Sequence, residues 1–98
     1  MPFNANVTTT CLWNNLENQV RNKVNEIADD AGRNSHGAVM MNNGTTCQHW
    51  RAGDYRIFGT YNATTGFTFL GWGQHVGRGN SAYVVNLCAG GKTRATTA

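Results

Sequence analysis

Residues 50–61 read WRAGDYRIFGTY, and this stretch decides the fold of the chain. A turn at 52–54 separates two runs that each have the alternating pattern of a β-strand. Alternate side chains of a strand share a face, so Arg56 and Phe58 lie on one side and Ile57 lies on the other. The stretch therefore predicts a hairpin with Ile57 in the core and Arg56 on an open face.

Shorter runs with the same period lie on both sides of this hairpin. The predicted strands are 38–41, 45–50, 55–61, 67–72 and 82–87, with turns at 42–44, 52–54, 62–66 and 77–80. These turns are too short to hold crossover helices, so we expect the strands to follow one another as an antiparallel meander.

One helix is predicted before the sheet. Apolar residues recur every three or four positions there, namely Leu12, Leu16, Val20, Val24, Ile27 and Ala31. This spacing is typical of the apolar stripe of an amphipathic helix, and Gly32 follows where a left-handed C-cap is expected. One sheet face is the natural partner of such a stripe, and the other face is then open to a ligand.

These elements predict one α+β domain, 1–98, in which an N-terminal amphipathic helix packs on a four- to five-stranded antiparallel sheet. We expect an arm at 1–10, the helix at 11–31, the sheet at 37–88 and a flexible tail at 89–98. An apolar content of 40% suffices for a modest core. No segment approaches the roughly 18 consecutive apolar residues of a membrane span, so no membrane span is expected.

The charge of the chain is unevenly distributed. Residues 1–32 hold two basic and four acidic side chains, whereas residues 33–98 hold six basic ones, one acidic one and all three histidines. A basic, histidine-bearing segment indicates a phosphate-bearing partner such as nucleic acid. Residues 1–4 lack the basic and apolar parts of a signal peptide. We therefore expect a cytoplasmic site of action, with delivery as the terminal domain of a secreted toxin as a second route.

The cysteines Cys11, Cys47 and Cys88 are odd in number and widely spaced. They form no C-x-x-C pair, which argues against a zinc site or a disulfide framework. We expect at least two buried thiols in a reducing compartment, and one bond between two of the three stays open. The sheet region has no cluster of Asp, Glu and His, so no metal and no other cofactor is expected.

Several side chains suited to phosphate chemistry fall near strand ends and turns. His49 and Arg51 share a strand face, His75 and Arg78 border a glycine-rich bend at 71–80, and Tyr83 opens the last predicted strand. RNA cleavage by the neighbouring 2′-hydroxyl needs a base, an acid and a cation that stabilises the crowded phosphorane. Histidine serves as base or acid near neutral pH, and arginine matches phosphate oxygens.

The hairpin at 50–61 resembles the central hairpin of RelE/ParE-type toxins, whose pattern is R-x-G-x-Y-R followed by apolar strand residues. Gly73-Gln74-His75 and then Tyr83 resemble the final segment of the same family, so the resemblance covers roughly 45–85. The architecture is shared with a wider group that includes barnase-like and colicin-type ribonucleases. By position, the resemblance implies that Arg56 binds phosphate and that His75 and Tyr83 are the late catalytic residues. His49 falls where some members have a catalytic lysine.

The resulting prediction is a metal-independent endoribonuclease toxin that leaves a 2′,3′-cyclic phosphate. The predicted catalytic residues are His75, Arg56, Tyr83 and His49, and Arg51 and Arg78 are predicted to bind substrate. The expected partners are RNA, including ribosome-bound mRNA or tRNA, and an acidic antitoxin or immunity protein that covers the basic face.

Two other classes of function are compatible with the sequence. Cys11 precedes the predicted helix, where the helix dipole lowers a thiol pKa, and His36 follows it. That order resembles small cysteine amidases of the NlpC/CHAP type, with Cys11 as nucleophile and His36 as base. The third class is a non-catalytic module that binds RNA or protein.

Overall fold

The computed structural model describes residues 3–76 and 82–97, and within them the chain is mostly β-structure. The helix α1 spans Asn18–Asp29, and a 3₁₀ turn at Trp13–Asn15 precedes it. The strands are β1 (Val7–Thr9), β2 (Ala38–Met41), β3 (Thr46–Ala52), β4 (Tyr55–Asn62), β5 (Gly66–Val76), β6 (Ala82–Leu87) and β7 (Lys92–Thr97). No helix in this part of the chain is long and apolar enough to cross a membrane.

Strands β2 to β7 form a closed six-stranded barrel. Each pairs antiparallel with the next along the chain, which confirms the predicted meander, and β7 returns to pair with β2. The short β1 adds in parallel to β5. The predicted α+β fold, with a helix on a four- to five-stranded antiparallel sheet, is therefore wrong. The segment at 89–98, predicted as a flexible tail, contains β7, and this strand closes the sheet.

The segment before α1 also differs from the prediction. The arm at 1–10 contains β1, and α1 begins at Asn18 rather than at residue 11. Residues 11–17 are held differently because the hydroxyl of Thr9 accepts a hydrogen bond from the Cys11 amide and donates one to the carbonyl of Phe69. Gly32 does adopt the left-handed conformation expected after the helix, with φ of 72°.

Two apolar clusters lie on opposite sides of the barrel wall. Outside the barrel, the helix stripe packs against β3, β4 and β5, with Val20, Val24, Ile27, Trp50, Ile57, Phe67 and Phe69 essentially inaccessible to water. Inside it, the cluster consists of Val39, Met41, Cys47, Phe58, Tyr83, Val85 and Ala95. The pattern of the hairpin is confirmed, because Ile57 belongs to the outer cluster and Phe58 to the inner one.

The sheet face predicted to be open to a ligand is the inside of the barrel. A barrel of about eight strands is just wide enough to be filled by side chains, and this one has fewer. Its wall is also drawn in at Gly73, where a Cβ atom would run into the carbonyl of Val84 on β6. A ligand can therefore meet the inward-facing residues only at the two ends of the barrel.

A disulfide joins Cys11 to Cys88 and ties the segment after β1 to the turn after β6. The expectation of at least two buried thiols is wrong, because only Cys47 is free; burial raises the pKa of its thiol to about 11. The bond also removes the basis of the cysteine-amidase reading, since a sulfur held in a disulfide offers no thiolate nucleophile.

Candidate functional site at one end of the barrel

The polar residues singled out in the sequence meet at the barrel end formed by the start of β2, the end of β3, the start of β4, the end of β5 and the start of β6. We call this end the histidine mouth and define it by His36, His49, Arg51, Arg56, His75 and Tyr83. Strand register accounts for the convergence, because Arg51 lies opposite Arg56 and His75 lies opposite Tyr83. Five of the six predicted site residues are thus brought together, and Arg78 lies outside the described residues.

His49 is the buried centre of the mouth, with 2% of its surface exposed. Its Nδ1 lies 2.9 Å from the carbonyl oxygen of Gly37, and its Nε2 lies 3.3 Å from the phenol oxygen of Tyr83. A carbonyl oxygen only accepts, so Nδ1 carries the hydrogen and Nε2 accepts from the phenol of Tyr83. Burial lowers the pKa of His49, and the nearby charges of His36 and Arg56 act in the same direction. The ring is therefore neutral.

The aromatic rings of the mouth form a continuous row. The ring centroids of His36 and His49 are 5.9 Å apart, those of His49 and Tyr83 are 5.2 Å apart, and those of Tyr83 and His75 are also 5.2 Å apart. His36 is exposed and His75 is half-buried, whereas the two rings between them are buried. A ligand at the mouth therefore meets the two outer imidazoles, while His49 and Tyr83 support them from below.

Two arginines of the β3–β4 hairpin add positive charge to the same face. Arg51 and Arg56 are direct partners in the register, an arrangement that costs stability because like charges repel. Arg56 donates from Nη1 to the carbonyl of Tyr55 at 3.1 Å, which leaves other guanidinium donors for a ligand. Among residues 3–76 and 82–97 the only salt bridge joins Lys23 and Glu26, so the carboxylate of Asp54 neutralises neither arginine.

A second cavity, of about 380 Å³, lies at the opposite end of the barrel. Its lining consists mainly of apolar and threonine side chains, including Met41, Phe69, Leu70 and Leu87. The one cysteine in that lining, Cys88, is held in the disulfide, so the cavity offers no group for acid–base chemistry. In the described part of the chain no three His, Cys, Asp or Glu side chains lie close enough together to hold a metal ion.

His36 is the member of the mouth that sequence reasoning missed for phosphate chemistry, having considered it only as the base of an amidase. Its amide donates to the carbonyl of His49 at 2.7 Å, because β2 and β3 pair around a short turn. Ala38 lies opposite Gln48 in that register. Counting outward from the predicted turn at 42–44 would therefore have placed His36 beside His49.

Comparison with family models, curated proteins and solved structures finds no significant match to this chain. The resemblance of residues 50–61 to the hairpin of RelE/ParE-type toxins stays a prediction from the sequence. The four-stranded sheet that it implies is not the closed barrel described above. The function is therefore argued from the histidine mouth alone.

Proposed function

We propose that this protein is a metal-independent endoribonuclease that cleaves RNA by attack of a 2′-hydroxyl on the adjacent phosphate. One observation carries the proposal: two arginines and three histidines share one end of the barrel, and the structure shows no carboxylate paired with either arginine. Uncompensated positive charge has an electrostatic cost in the free protein, and a bound phosphate removes that cost.

The cations of the mouth bind the scissile phosphate. Arg56 and Arg51 present guanidinium groups that match the non-bridging oxygens, and their charge stabilises the phosphorane as it forms. They contribute more in the transition state than in the ground state because negative charge accumulates on those oxygens during attack.

The two accessible imidazoles transfer the protons. One of His36 and His75, in its neutral form, takes the proton of the 2′-hydroxyl while the O2′–P bond forms. The other, in its protonated form, gives a proton to O5′ while the P–O5′ bond breaks. The products are a 2′,3′-cyclic phosphate and a free 5′-hydroxyl. Imidazole is suited to both roles because it titrates near neutral pH.

His49 and Tyr83 are assigned a supporting role rather than the direct catalytic role predicted for them. Both are at most 6% exposed, so RNA does not reach them in this conformation. Their hydrogen bond fixes the phenol ring, and the edge-to-face contact of that ring with His75 holds the imidazole at the mouth. They are positioning residues for His75.

The same proposal includes a partner and a route. An exposed cationic mouth that cleaves RNA requires an acidic antitoxin or immunity protein in the cell that makes it. Disulfides persist mainly in oxidising compartments, so the bond between Cys11 and Cys88 supports passage outside the cytosol before RNA is reached. Delivery as the terminal domain of a secreted toxin accounts for both features.

The test is cleavage of free RNA by purified, oxidised protein in EDTA, with His75→Ala, His36→Ala and Arg56→Ala as variants. Lys23→Ala is the matched control, because Lys23 lies on α1, outside the mouth. We expect cyclic-phosphate ends, and losses of about 100-fold or more in the three mouth variants but none in the control. Each histidine variant should also lose one limb of a bell-shaped pH profile.

Three outcomes would contradict the proposal. Cleavage that EDTA abolishes, or products with 3′-hydroxyl ends, would indicate a different reaction. Equal activity of the mouth variants and Lys23→Ala would place the active site elsewhere. RNA that is bound but cleaved neither free nor on translating ribosomes would favour a non-catalytic RNA-binding module.

A further inference from the structure

The outer face of strands β5, β6 and β7 is a sheet surface that α1 does not cover, because α1 packs over β3, β4 and β5. Strand register arranges its outward side chains in two rows across the three strands. One row is Trp72, Asn86 and Lys92, and the other is Gln74, Val84 and Arg94.

These rows lie along a continuous groove that we call the outer groove, defined by Trp72, Gln74, Asn86, Lys92 and Arg94. Two adjoining cavities of about 450 Å³ each make up the groove, and Val84 and Lys92 line both. His75 lines the first of them, so the outer groove reaches the histidine mouth.

The first part of the outer groove offers a surface for stacking. Trp72 is half-buried and makes an edge-to-face contact with Tyr55, with ring centroids 5.7 Å apart. Asn86 donates from its side-chain amide to the carbonyl of Trp72 at 3.2 Å, which fixes the strand backbone at that position. Gln74 is exposed beside them and presents an amide donor and acceptor.

The second part is cationic. Lys92 and Arg94 are exposed, and no Asp or Glu follows Asp54 in the sequence, so β5 to β7 carry no carboxylate side chain. A groove that combines an aromatic surface with basic side chains is the arrangement by which proteins bind single-stranded nucleic acid.

We infer that the outer groove binds the single-stranded RNA nucleotides that flank the cleaved phosphate. A base stacks on Trp72, and neighbouring phosphates contact Lys92 and Arg94. The RNA is single-stranded because a base paired within a duplex does not present its face to a side chain. The inference rests on the proposed function in one respect, namely that the phosphate next to the stacked base enters the mouth at His75.

The experiment uses a short 2′-O-methyl RNA strand, which has no free 2′-hydroxyl and therefore binds without being cleaved. Tryptophan fluorescence is followed during titration at several salt concentrations. We expect quenching in the wild type and in Trp13→Phe, and none in Trp72→Phe. Trp72→Ala should weaken binding roughly 5- to 150-fold, as for other stacked bases.

The basic residues are tested separately because Trp72 also packs against the outer cluster and its loss can affect folding. In Lys92→Ala/Arg94→Ala, the slope of log K against log salt should fall by about 1.4 in magnitude, or roughly 0.7 for each phosphate contact. Lys23→Ala, on α1, should keep the wild-type slope.

The inference is overturned if the double variant keeps the wild-type slope, or if Trp72→Phe is still quenched like the wild type. These results are independent of those for catalysis. Strand binding with the expected slope but no RNA cleavage would retain the outer groove and reject the nuclease. Cleavage that depends on His75, with an unchanged slope in the double variant, would retain the nuclease and reject the outer groove.

Discussion

The disulfide between Cys11 and Cys88 should supply much of the stability of this small domain. The two cysteines are 77 residues apart, so the bond closes most of the chain into one loop. For a loop of that length, the reduction of unfolded-state entropy corresponds to about 4.5 kcal/mol at 25 °C. Domains of this size are stable by roughly 5–15 kcal/mol in total. Removal of the bond should therefore leave the fold marginal.

The assay is guanidinium unfolding of the oxidised wild type, the same protein in dithiothreitol, and Cys11→Ser/Cys88→Ser. We expect the last two to agree, with the free energy of unfolding lowered by about 4 to 5 kcal/mol and the Tm lowered by roughly 20–35 °C. Cys47→Ala is the control, and it should respond to dithiothreitol as the wild type does.

A loss of less than about 1 kcal/mol on removal of the bond would refute the entropic reasoning, which predicts several times that value. Thiol titration of the denatured protein gives an independent check. One reactive thiol without reductant and three with it would agree with the bond. Three in both conditions would show that the cysteines are not joined.

Two further predictions concern the buried pair in the histidine mouth. Burial lowers the pKa of His49 below its ordinary value of 6.5, so its contribution to stability is complete above that pH and declines as the pH falls, by up to about 1.4 kcal/mol per pH unit. Urea unfolding between pH 7.5 and 5 should show this slope in the wild type and in His36→Gln, and a persistent slope in His49→Gln would assign it to another group. Tyr83→Phe keeps the ring beside His75 but leaves Nε2 of His49 without its donor, which should cost about 1–3 kcal/mol at neutral pH. Unchanged stability of Tyr83→Phe would mean that the hydrogen bond is not formed in solution.

Much of the local structure could be predicted because it depends on residues close together in the chain. The spacing of Val20, Val24 and Ile27 identifies the buried face of α1. The alternation of Ile57 and Phe58 places them on opposite sides of the barrel wall. The candidate site was partly predictable for the same reason, since short turns between neighbouring strands bring Arg51 opposite Arg56.

The closing strand β7 could not be predicted, because it lacks the signal by which strands are recognised. Ala95 is its only buried residue, and the strand is otherwise made of Lys, Arg and Thr. A small residue suffices there because Ala95 lies between its register partners Tyr83 and Met41, whose larger side chains help fill the interior. A polar segment with one buried alanine has no apolar period, so its sequence is typical of a loose tail.

By itself the sequence determined where the helix and most strands lie, which side chains share a face, and that the cationic groups follow residue 32. Tertiary structure alone decided that the sheet closes, that Cys11 bonds Cys88, and that His36 joins His49 and Tyr83 at the mouth. The physical reason is the distance along the chain over which each feature is determined. Helix and strand periods act over a few residues, whereas the pairing of Val39 with Thr97 and the disulfide form only when the whole barrel is assembled.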